Sequence, residues 1–531
     1  MTILYPQLKN FIQNDPLSDW FEVMNQYYHC YERVEETTFE LNLKENKYQY
    51  KQDFFSFLKQ YQTHFENDLD HHQMKQRFES KVKGIFIDCY LYHQKYDILL
   101  KPDLIIHRDI FKEIFKEVTI HNLPEYIVCD ILYQTVHFNS DQTDILNNDN
   151  LYYHKCKLYL CSQCIDKSSQ TGYLFAKEYK HKEKSLRKKE SIGYFQFDTE
   201  MIHKIKEALT WIDNLYEFYN EWIIYPKPTI KELYPNMNNN ESDWENEKYK
   251  LATEIKEITS VWNISYNERC DFLEKGIECW DDDKLLKNLK ESKKRNIQER
   301  MIHMNKNTDI LLYPRKNISS TFQEILSLKN DIYFDVESFL SFDEKQELLN
   351  DELNKRDPVL GILGFIHNGK YWNYTMNDFS LTEEKKIVTR FIDHLHKINN
   401  SKLINIYHWG HAEFNYLKYI QDKYPEIILP EYRLINVLDF FRTEPIIVQG
   451  VFKFGLKYIG EALYKNKLIK PTWGINDNGL DTMIEFKDVC KNNTKKIPLK
   501  RYSQIVDIID YNRIDCQVLY EIVDLMKKTY L

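Results

Sequence analysis

Glycine and proline are scarce in this chain, with 13 Gly and 14 Pro among 531 residues. Lys, Asn, Ile, Tyr and Phe are abundant instead, and A/T-rich codons encode these residues. The bias indicates an A/T-rich genome, as in some large DNA viruses or protists, and says nothing about mechanism. The sequence also lacks a visible internal repeat. It is too long for one ordinary domain, so we expect two or three domains.

Long apolar runs are missing as well. No stretch approaches the roughly 18 consecutive apolar residues that a membrane span needs, so we do not expect one. The N-terminal text MTILYPQLKNFIQND has no basic segment followed by an apolar run, so no secretion signal is predicted. The 10 cysteines are scattered, which is typical of reduced thiols. We therefore expect an intracellular protein, in the cytoplasm or nucleus. If the genome is viral, this would be the cytoplasm or nucleus of an infected host cell.

An excess of positive charge is also absent. The net charge is −9, and charged residues make up 29% of the chain. This balance argues against a protein that coats nucleic acid through bulk positive charge. It does not exclude an enzyme that holds a strand locally, because metal-binding carboxylates add negative charge themselves. Hydrophobic residues at 43% and aromatic residues at 15% are sufficient for packed cores.

Changes in composition divide the chain into three regions. The first, 1–240, ends in a polar stretch suited to a linker, YPNMNNN. The second, 241–312, is rich in Lys and Glu and is predicted to be helical. The third, 319–531, has the clearest pattern of strands and helices.

The third region is predicted to be a mixed α/β layered domain. Asn368-Gly369 predicts a hairpin turn between two strands, and Ser380 with Glu383 predicts a capping box at a helix start. The expected strands are 331–336, 359–366, 370–376, 403–407 and 434–438. The expected helices run from Ser380 to about 398, from about 411, and over about 504–527.

Acidic residues mark three of these elements. Asp335 and Glu337 are two apart on the first strand, so both leave the same face. Adjacent carboxylates in a core strand repel each other unless a cation lies between them, and hard divalent cations prefer oxygen ligands. Tyr511 and Asp515 are four apart on the last helix and share a face. Taken alone, an Asp-x-Glu pair more often lies on a solvated edge, and a Tyr-x-x-x-Asp spacing is common.

The combination resembles the RNase H-like 3′–5′ exonucleases of the DEDD type. These have acid-x-acid on the first strand, an acid on a middle helix and Tyr-x-x-x-Asp on the last helix. Here Glu413, in YHWGHAEFNYL, stands at the middle position, where many relatives have Asp and one branch has a Glu after a His-Trp or His-Tyr pair. Asp439 matches a supporting acid of the family. The segment 452–464, FKFGLKYIGEALY, resembles the family's helix behind the site.

This resemblance implies a metal-dependent 3′–5′ exonuclease. Two Mg²⁺ or Mn²⁺ ions would be held by four acids, with a tyrosine that orients the attacking water. The implied metal ligands are Asp335, Glu337, Glu413 and Asp515, and the implied catalytic set adds Tyr511. The implied partner is nucleic acid with a single-stranded 3′ end, with DNA favoured over RNA. No membrane is expected, and the sequence does not specify protein partners.

The first region has a second resemblance. KYDILLKPDLIIHRDIF and EYIVCDILYQTVHF are similar to the PD-(D/E)XK core of RecB-like nucleases, a restriction-endonuclease-like α/β fold. Asp103 and Asp130 match its two acids, but Leu132 stands at the lysine position, which implies a degenerate site. Residues 155–164 and 171–179 match the family's helix and next strand, and His71 or His72 its upstream histidine. The alternative is a half-buried pair of strands with surface acids.

The middle region resembles a helix-hairpin-helix spacer over 254–283. The turn at Asn263-Ile264-Ser265-Tyr266 has no glycine, which favours a packing role over phosphate binding. The order of the three regions is similar to one known family of predicted nucleases.

Other patterns favour ordinary structural roles. Cys161 and Cys164, with Cys156 nearby, are more typical of packing on a helix than of a zinc or iron–sulfur site. The basic runs at 177–189 and 287–296 are typical of solvated surfaces, although such runs also contact phosphates. Two alternative functions remain open from sequence. One is a catalytically inactive nucleic-acid-binding or scaffold protein built from degenerate nuclease domains, and the other is an RNA exonuclease with the same chemistry.

Overall fold

The computed structural model divides the chain into two compact units. The first extends to Ile255 and the second from Lys256 to Leu531, with Thr37–Phe39 counted in the second. The predicted mixed α/β, multi-domain architecture is confirmed. The structure describes 2–531 except 62–63, 117–122, 141–143, 148, 182–183, 186–191, 240–242, 307–309, 340–358, 400–402, 475–478 and 494–496.

The first unit contains ten strands and eight helices among its described residues. The strands are β1 (Ile3–Leu4), β2 (Phe65–Asn67), β3 (Ile85–Ile87), β4 (Leu91–His93), β5 (Ile98–Leu100), β6 (Leu104–His107), β7 (Tyr126–His137), β8 (Thr171–His181), β9 (Lys184–Ser185) and β10 (Gly193–Gln196). The α-helices are α1 (Lys9–Ile12), α2 (Pro16–Tyr28), α3 (Thr38–Leu58), α4 (His71–Glu79), α5 (Arg108–Ile114), α6 (Asp149–Ile165), α7 (Thr199–Phe218) and α8 (Glu245–Glu254). Short 3₁₀ turns occupy Tyr5–Leu8 and Lys231–Leu233.

A mixed sheet forms the centre of the first unit. Its strand order is β10-β8-β7-β6-β3-β2, with β9 paired to β8. Strands β7 and β8 run parallel, whereas β6 is antiparallel to both β3 and β7. Apolar side chains alternate along β7, so Val128 and Leu132 pack into one core and Ile127 and Ile131 into another. Helix α6 and strand β8 agree with the elements predicted at 155–164 and 171–179.

The second unit begins with a helical segment. Its elements are α9 (Tyr266–Glu274), α10 (Asp283–Asn288), α11 (Arg295–Lys306), β11 (Leu312–Tyr313) and α12 (Ser320–Leu326), with a 3₁₀ turn at Ile258–Ser260. Ser265 caps α9 in a full capping box with Glu268. Ile264 and Phe272 lie in a small apolar core with Ile302 of α11. These contacts agree with the packing role that the sequence favours.

The remaining elements of the second unit form a layered α/β fold. The strands are β12 (Asp331–Phe339), β13 (Val359–His367), β14 (Lys370–Thr375), β15 (Ile404–His408), β16 (Tyr432–Asn436) and β17 (Ile447–Val448). The helices are α13 (Leu381–Asn399), α14 (Ala412–Lys423), α15 (Val437–Thr443), α16 (Leu456–Lys465), α17 (Gly479–Asn492) and α18 (Ser503–Tyr530), with a 3₁₀ turn at Leu499–Arg501. No helix in the described part of the chain is both long and apolar enough to cross a bilayer.

The main sheet of this unit has the strand order β14-β13-β12-β15-β16. Strands β12, β13 and β14 are antiparallel neighbours, whereas β15 and β16 run parallel to β12. The predicted hairpin is confirmed, since Asn368 and Gly369 both have positive φ, as a type I′ turn requires. Ser380 accepts a hydrogen bond from Glu383 N–H, but the Glu383 carboxylate binds Asn377 instead of completing the capping box.

The predicted strand at 434–438 is displaced. The strand occupies Tyr432–Asn436, and Val437 and Leu438 begin α15. The Asn436 side chain accepts a hydrogen bond from Leu438 N–H, so this residue caps the helix and ends the strand. An N-cap inside an apolar run was the signal that the prediction overlooked.

Apolar layers cover both faces of this sheet. On β12, Ile332 and Phe334 pack against a core that includes α13. Tyr333 faces the other core, which α18 supplies. Asp335 and Glu337 share the face of Tyr333, so the strand turns both acids towards α18.

Candidate metal centre

Strand β12 and helix α18 bring three carboxylates together. Asp335, Glu337 and Asp515 each place an oxygen within 4.8 Å of the other two. No other group of three His, Cys, Asp or Glu side chains meets this closely among the described residues. Glu337 and Asp515 are 7% and 8% exposed, so water screens their repulsion poorly. The arrangement is an acidic cluster in which a cation would be favourable.

Glu413, the fourth predicted ligand, lies outside this 4.8 Å group but close enough for its charge to act on two of its members. It lies in the first turn of α14, where the positive end of the helix dipole favours a carboxylate. Its side chain is buried, and its charge contributes to the raised pKa values of Asp335 and Glu337. The Glu413 Oε2 atom and the neighbouring His408 Nδ1 atom, 3.6 Å apart, both lack a hydrogen-bond partner in the described part of the chain. A buried acceptor without a partner fits a metal ligand.

Three of these acids are difficult to ionise without a cation. Burial, and then the charges of Asp515, Glu337 and Glu413, raise the pKa of Asp335 well above its ordinary value. Burial followed by the charge of Asp515 raises the pKa of Glu337 to about 8. Burial likewise raises the pKa of Asp515 to about 7, against hydrogen bonds that lower it. The folded site therefore takes up either protons or a cation at neutral pH.

Tyr511 lies beside Asp515 on α18, as the spacing predicts. Its hydroxyl is hydrogen-bonded to Asp515, and burial followed by that charge raises its pKa well above the ordinary value. Tyr511 is therefore a neutral phenol. The Lys457 ammonium lies 4.9 Å from the centre of the Tyr511 ring and lowers the pKa of Asp515.

Two side chains that were not predicted from the sequence also contact these acids. The Trp473 indole N–H donates to Asp515 Oδ1 at 2.7 Å. The Asn512 amide donates to Asp335 Oδ2 at 2.7 Å. Asn512 is three residues before Asp515, so helical spacing would have placed it on the same face. No sequence pattern predicts the contact of Trp473 with Asp515, because it joins residues that are distant in the chain.

The resemblance also pointed to Asp439 and to the segment 452–464. Asp439 is exposed and accepts a hydrogen bond from Asn436 at 2.9 Å. The predicted helix at 452–464 is α16, and it packs closely against α18. A methyl group on Gly460 of α16 would lie 2.8 Å from Val518 of α18 and from Trp473.

The two acids predicted in the first unit also lie together. Asp103 N–H donates to Asp130 Oδ1 at 3.2 Å, and Ile131 N–H donates to Asp103 Oδ2 at 2.8 Å. Asp130 is fully buried in the middle of β7. The alternative of surface acids on a half-buried strand pair is therefore wrong for Asp130.

Positive side chains neutralise this second pair. Lys157 Nζ and His154 Nδ1 from α6 each lie 2.7 Å from Asp130 Oδ2. Lys51 Nζ lies 2.7 Å from Asp103 Oδ1. Burial opposes the charge on Asp130, but Lys157 and His154 hold its pKa below the ordinary value. Leu132, at the expected lysine position, packs in the core instead.

The helix supplies a lysine that the strand lacks. Lys157 follows His154 by three residues on α6, so both lie on one helical face. This spacing was present in the sequence, but the strand on which the face would pack could not be identified. His71 and His72 lie against each other at the start of α4. Among the described residues, Asp103 and Asp130 instead pair with Lys51, His154 and Lys157.

The cysteines of α6 are free thiols in a packed environment. Cys156 and Cys161 are fully buried, and burial raises the pKa of Cys164 to about 12. Neutral buried thiols act as small apolar residues. This agrees with the packing role favoured by the sequence.

Comparisons with protein-family models, with curated proteins and with solved structures found no match to this chain.

Proposed function

We propose that 319–531 form an RNase H-like domain of the DEDD exonuclease type. The order β14-β13-β12-β15-β16 supports this, because the first strand is central and the second is antiparallel to it. The acids also lie on the first strand, on a middle helix and on the last helix, in the order of the resemblance. We also propose that the first unit is a restriction-endonuclease-like domain, because the two acids of that resemblance, Asp103 and Asp130, lie together.

We propose that the second unit is a metal-dependent nuclease. The observation that carries the proposal is the convergence of Asp335, Glu337 and Asp515 within 4.8 Å. Among the described residues, none of the four acids forms an ion pair with a lysine or arginine, unlike the two acids of the first unit. A carboxylate cluster without a direct ion pair to lysine or arginine suits Mg²⁺ or Mn²⁺.

The residues present fit this ion. Asp335, Glu337, Glu413 and Asp515 would hold it, and the unpaired Glu413 Oε2 offers a further ligand atom. Bound divalent ions would polarise the phosphate and supply hydroxide at neutral pH. Tyr511, a neutral phenol next to Asp515, would orient the water. The Lys457 ammonium beside Tyr511 would favour a negatively charged phosphate at this edge of the site.

We propose a nucleic acid with a single-stranded 3′ end as the substrate, with DNA favoured over RNA. The direction of attack and the preference for DNA rest on the resemblance to DEDD and RecB-like nucleases. The proposal thus has two parts, a metal-dependent nuclease supported by the acidic cluster and a 3′–5′ direction supported by family likeness.

Strand degradation tests this function. The protein is incubated with 3′- and 5′-labelled single- and double-stranded DNA and RNA, with Mn²⁺ or Mg²⁺. We expect degradation from the 3′ end that chelation stops and that Asp335→Asn or Asp515→Asn abolishes.

Matched controls separate the cluster from general loss of charge. Asp331→Asn removes a carboxylate from the same strand, and Asp524→Asn removes one from the same helix. Asp331 pairs with Lys527, and Asp524 pairs with Lys528, so neither acid belongs to the cluster. Both control variants should retain activity. Degradation that is unaffected by Asp335→Asn and Asp515→Asn would contradict the assignment.

Lys157 favours a second candidate function, a nuclease site in the first unit. The ammonium reaches Asp130 from α6, although Leu132 occupies the lysine position on the strand. In this candidate, Lys157 and Lys51 form ion pairs with the two acids when no metal is bound. Asp103→Asn and Lys157→Met should then abolish cleavage while Asp335→Asn leaves it unchanged. Cleavage that none of these substitutions changes would contradict both sites. A protein that binds strands without cleaving them would favour the inactive scaffold.

A further inference from the structure

Asn512 lies between the two acids of β12. It is completely buried, and its side-chain Nδ2 donates to Asp335 Oδ2 at 2.7 Å. The same nitrogen lies 3.5 Å from Glu337 Oε1. One amide group thus approaches both carboxylates, which would repel each other when both are ionised.

The Tyr371 hydroxyl, on β14, holds the other end of this amide. It donates to Asn512 Oδ1 at 2.8 Å. An ionised carboxylate only accepts hydrogen bonds, so Asp335 selects the Nδ2 end of the amide and leaves Oδ1 towards Tyr371. A phenol hydroxyl can donate or accept, so Tyr371 anchors this orientation and does not select it alone.

A glycine makes room for the arrangement. Gly364 of β13 lies directly opposite Asp335 in the sheet. A methyl group at this position would lie 1.7 Å from Asn512 Oδ1, far inside contact distance. The amide of α18 can reach β12 only because β13 has no side chain there.

The chemistry of this contact is specific to an amide. A neutral donor favours ionised carboxylates without competing as a permanent cation, in contrast to Lys157 beside Asp130. Groups that hydrogen-bond metal ligands orient them, and their removal typically weakens metal binding by about 10- to 100-fold.

We propose that Asn512, held by Tyr371, is a positioning residue that aligns Asp335 and Glu337 for a divalent cation. This inference rests on the metal site of the proposed function. It requires that Asn512 and Tyr371 act as one unit. Neither residue is assigned a direct contact with substrate.

Calorimetric titration with Mn²⁺ alone tests this inference, because it measures affinity without cleavage. For Asn512→Ala we expect the affinity to fall by about 10- to 100-fold. For Tyr371→Phe we expect a smaller loss, because the amide remains but its Oδ1 loses the hydrogen bond that anchors it. The double variant should bind no more weakly than Asn512→Ala, since the two residues act through the same contact.

Tyr374→Phe is the matched control. Tyr374 lies on the same strand, but its hydroxyl pairs with His394 at 2.7 Å, on the other face of the sheet. This variant should bind Mn²⁺ as the unchanged protein does. If Asn512→Ala fails to fold, Tyr371→Phe carries the test alone, because it removes a single oxygen atom.

Three outcomes would overturn or separate the two proposals. Unchanged Mn²⁺ affinity in Asn512→Ala would overturn the positioning role while the exonuclease proposal stands. If Asn512→Ala does not fold, unchanged affinity in Tyr371→Phe would do the same. A protein that binds no Mn²⁺ at all would overturn both. Metal binding that Asn512→Ala weakens, in a protein that cleaves no nucleic acid, would support the positioning role and contradict only the proposed function.

Discussion

The most informative residues of this protein are carboxylates whose ionisation is opposed by burial. Glu337 and Asp515 have pKa values of about 8 and 7, compared with ordinary values near 4. Between pH 4 and pH 8 the folded protein therefore binds more protons than the unfolded chain at these two positions. Stability from this source is present at low pH and decreases as the pH rises through the folded pKa values.

This linkage predicts how the metal-free protein responds to pH. In the presence of a chelator, the melting temperature should fall as the pH rises from about 6 to about 8.5. Asp515→Asn removes one of the two groups, so its melting temperature should fall less over this range. Thermal denaturation of both proteins in the same buffers measures the difference. Equal pH dependence in the two proteins would contradict the assigned pKa of Asp515.

Gly364 provides a steric prediction at the same scale. Gly364→Ala would place a methyl group 1.7 Å from Asn512 Oδ1. We expect a loss of about 1–3 kcal/mol in the free energy of unfolding, the usual cost of overpacking a core. Chemical denaturation measures it. Gly455→Ala is a milder comparison, because its methyl group would meet only the Tyr458 side chain, at 3.0 Å. Equal stability of the two variants would contradict the close packing of Asn512 on β13.

At the scale of elements, α18 concentrates the polar residues of the site. Tyr511 and Asn512 lie four and three residues before Asp515, so each is a neighbour of Asp515 on the helix surface. Trp473, outside the helix, donates a hydrogen bond that fixes Asp515. The rest of this face is apolar and packs against the sheet, which holds the polar residues in place.

Trp473→Phe should reveal the importance of that hydrogen bond. The substitution keeps an aromatic ring but removes the indole N–H, a bond that lowers the pKa of Asp515. We expect the pKa of Asp515 to rise and the pH at which Mn²⁺ binds to shift upwards. Calorimetric titration with Mn²⁺ at several pH values measures this shift. Trp372→Phe is the control, because Trp372 packs on His394 on the opposite face. A binding profile identical to that of the unchanged protein would contradict the role of Trp473.

The sequence predicted elements better than the contacts between them. Strand periodicity placed Asp335 and Glu337 on one face, and the Asn368-Gly369 pair located the hairpin, because both signals are local. The strand at 434–438 was displaced since an asparagine cap within an apolar run looks like a strand residue. Lys157 and Trp473 could not be assigned to their acids, because their contacts join residues more than 25 positions apart.

At the scale of the whole molecule, each unit contains neighbouring acids of which at least one is buried, and the two sets are compensated differently. Lysines neutralise Asp103 and Asp130 in the first unit. In the second unit the described residues supply only neutral donors to Asp335 and Asp515. This contrast predicts that a divalent cation stabilises the second unit and has a smaller effect on the first.

The internal ion pair of the first unit can be tested separately. Lys157→Met should destabilise this unit by about 3–5 kcal/mol, because it leaves the buried Asp130 with only His154 for compensation. Adding Asp130→Asn to the same protein should restore part of that loss, since the uncompensated charge is then gone. Differential scanning calorimetry with a chelator measures both changes. A Lys157→Met protein as stable as the unchanged one would show that the pair is not formed.

The most direct test of the central claim is degradation of 5′-labelled single-stranded DNA with Mn²⁺. If the acids of β12, α14 and α18 form a 3′–5′ exonuclease site, the unchanged protein should produce a ladder of progressively shorter labelled products. Asp335→Asn and Asp515→Asn should leave the strand intact, whereas Asp524→Asn should produce the same ladder. No metal-dependent shortening by the unchanged protein, or an unchanged ladder with both site variants, would contradict the claim.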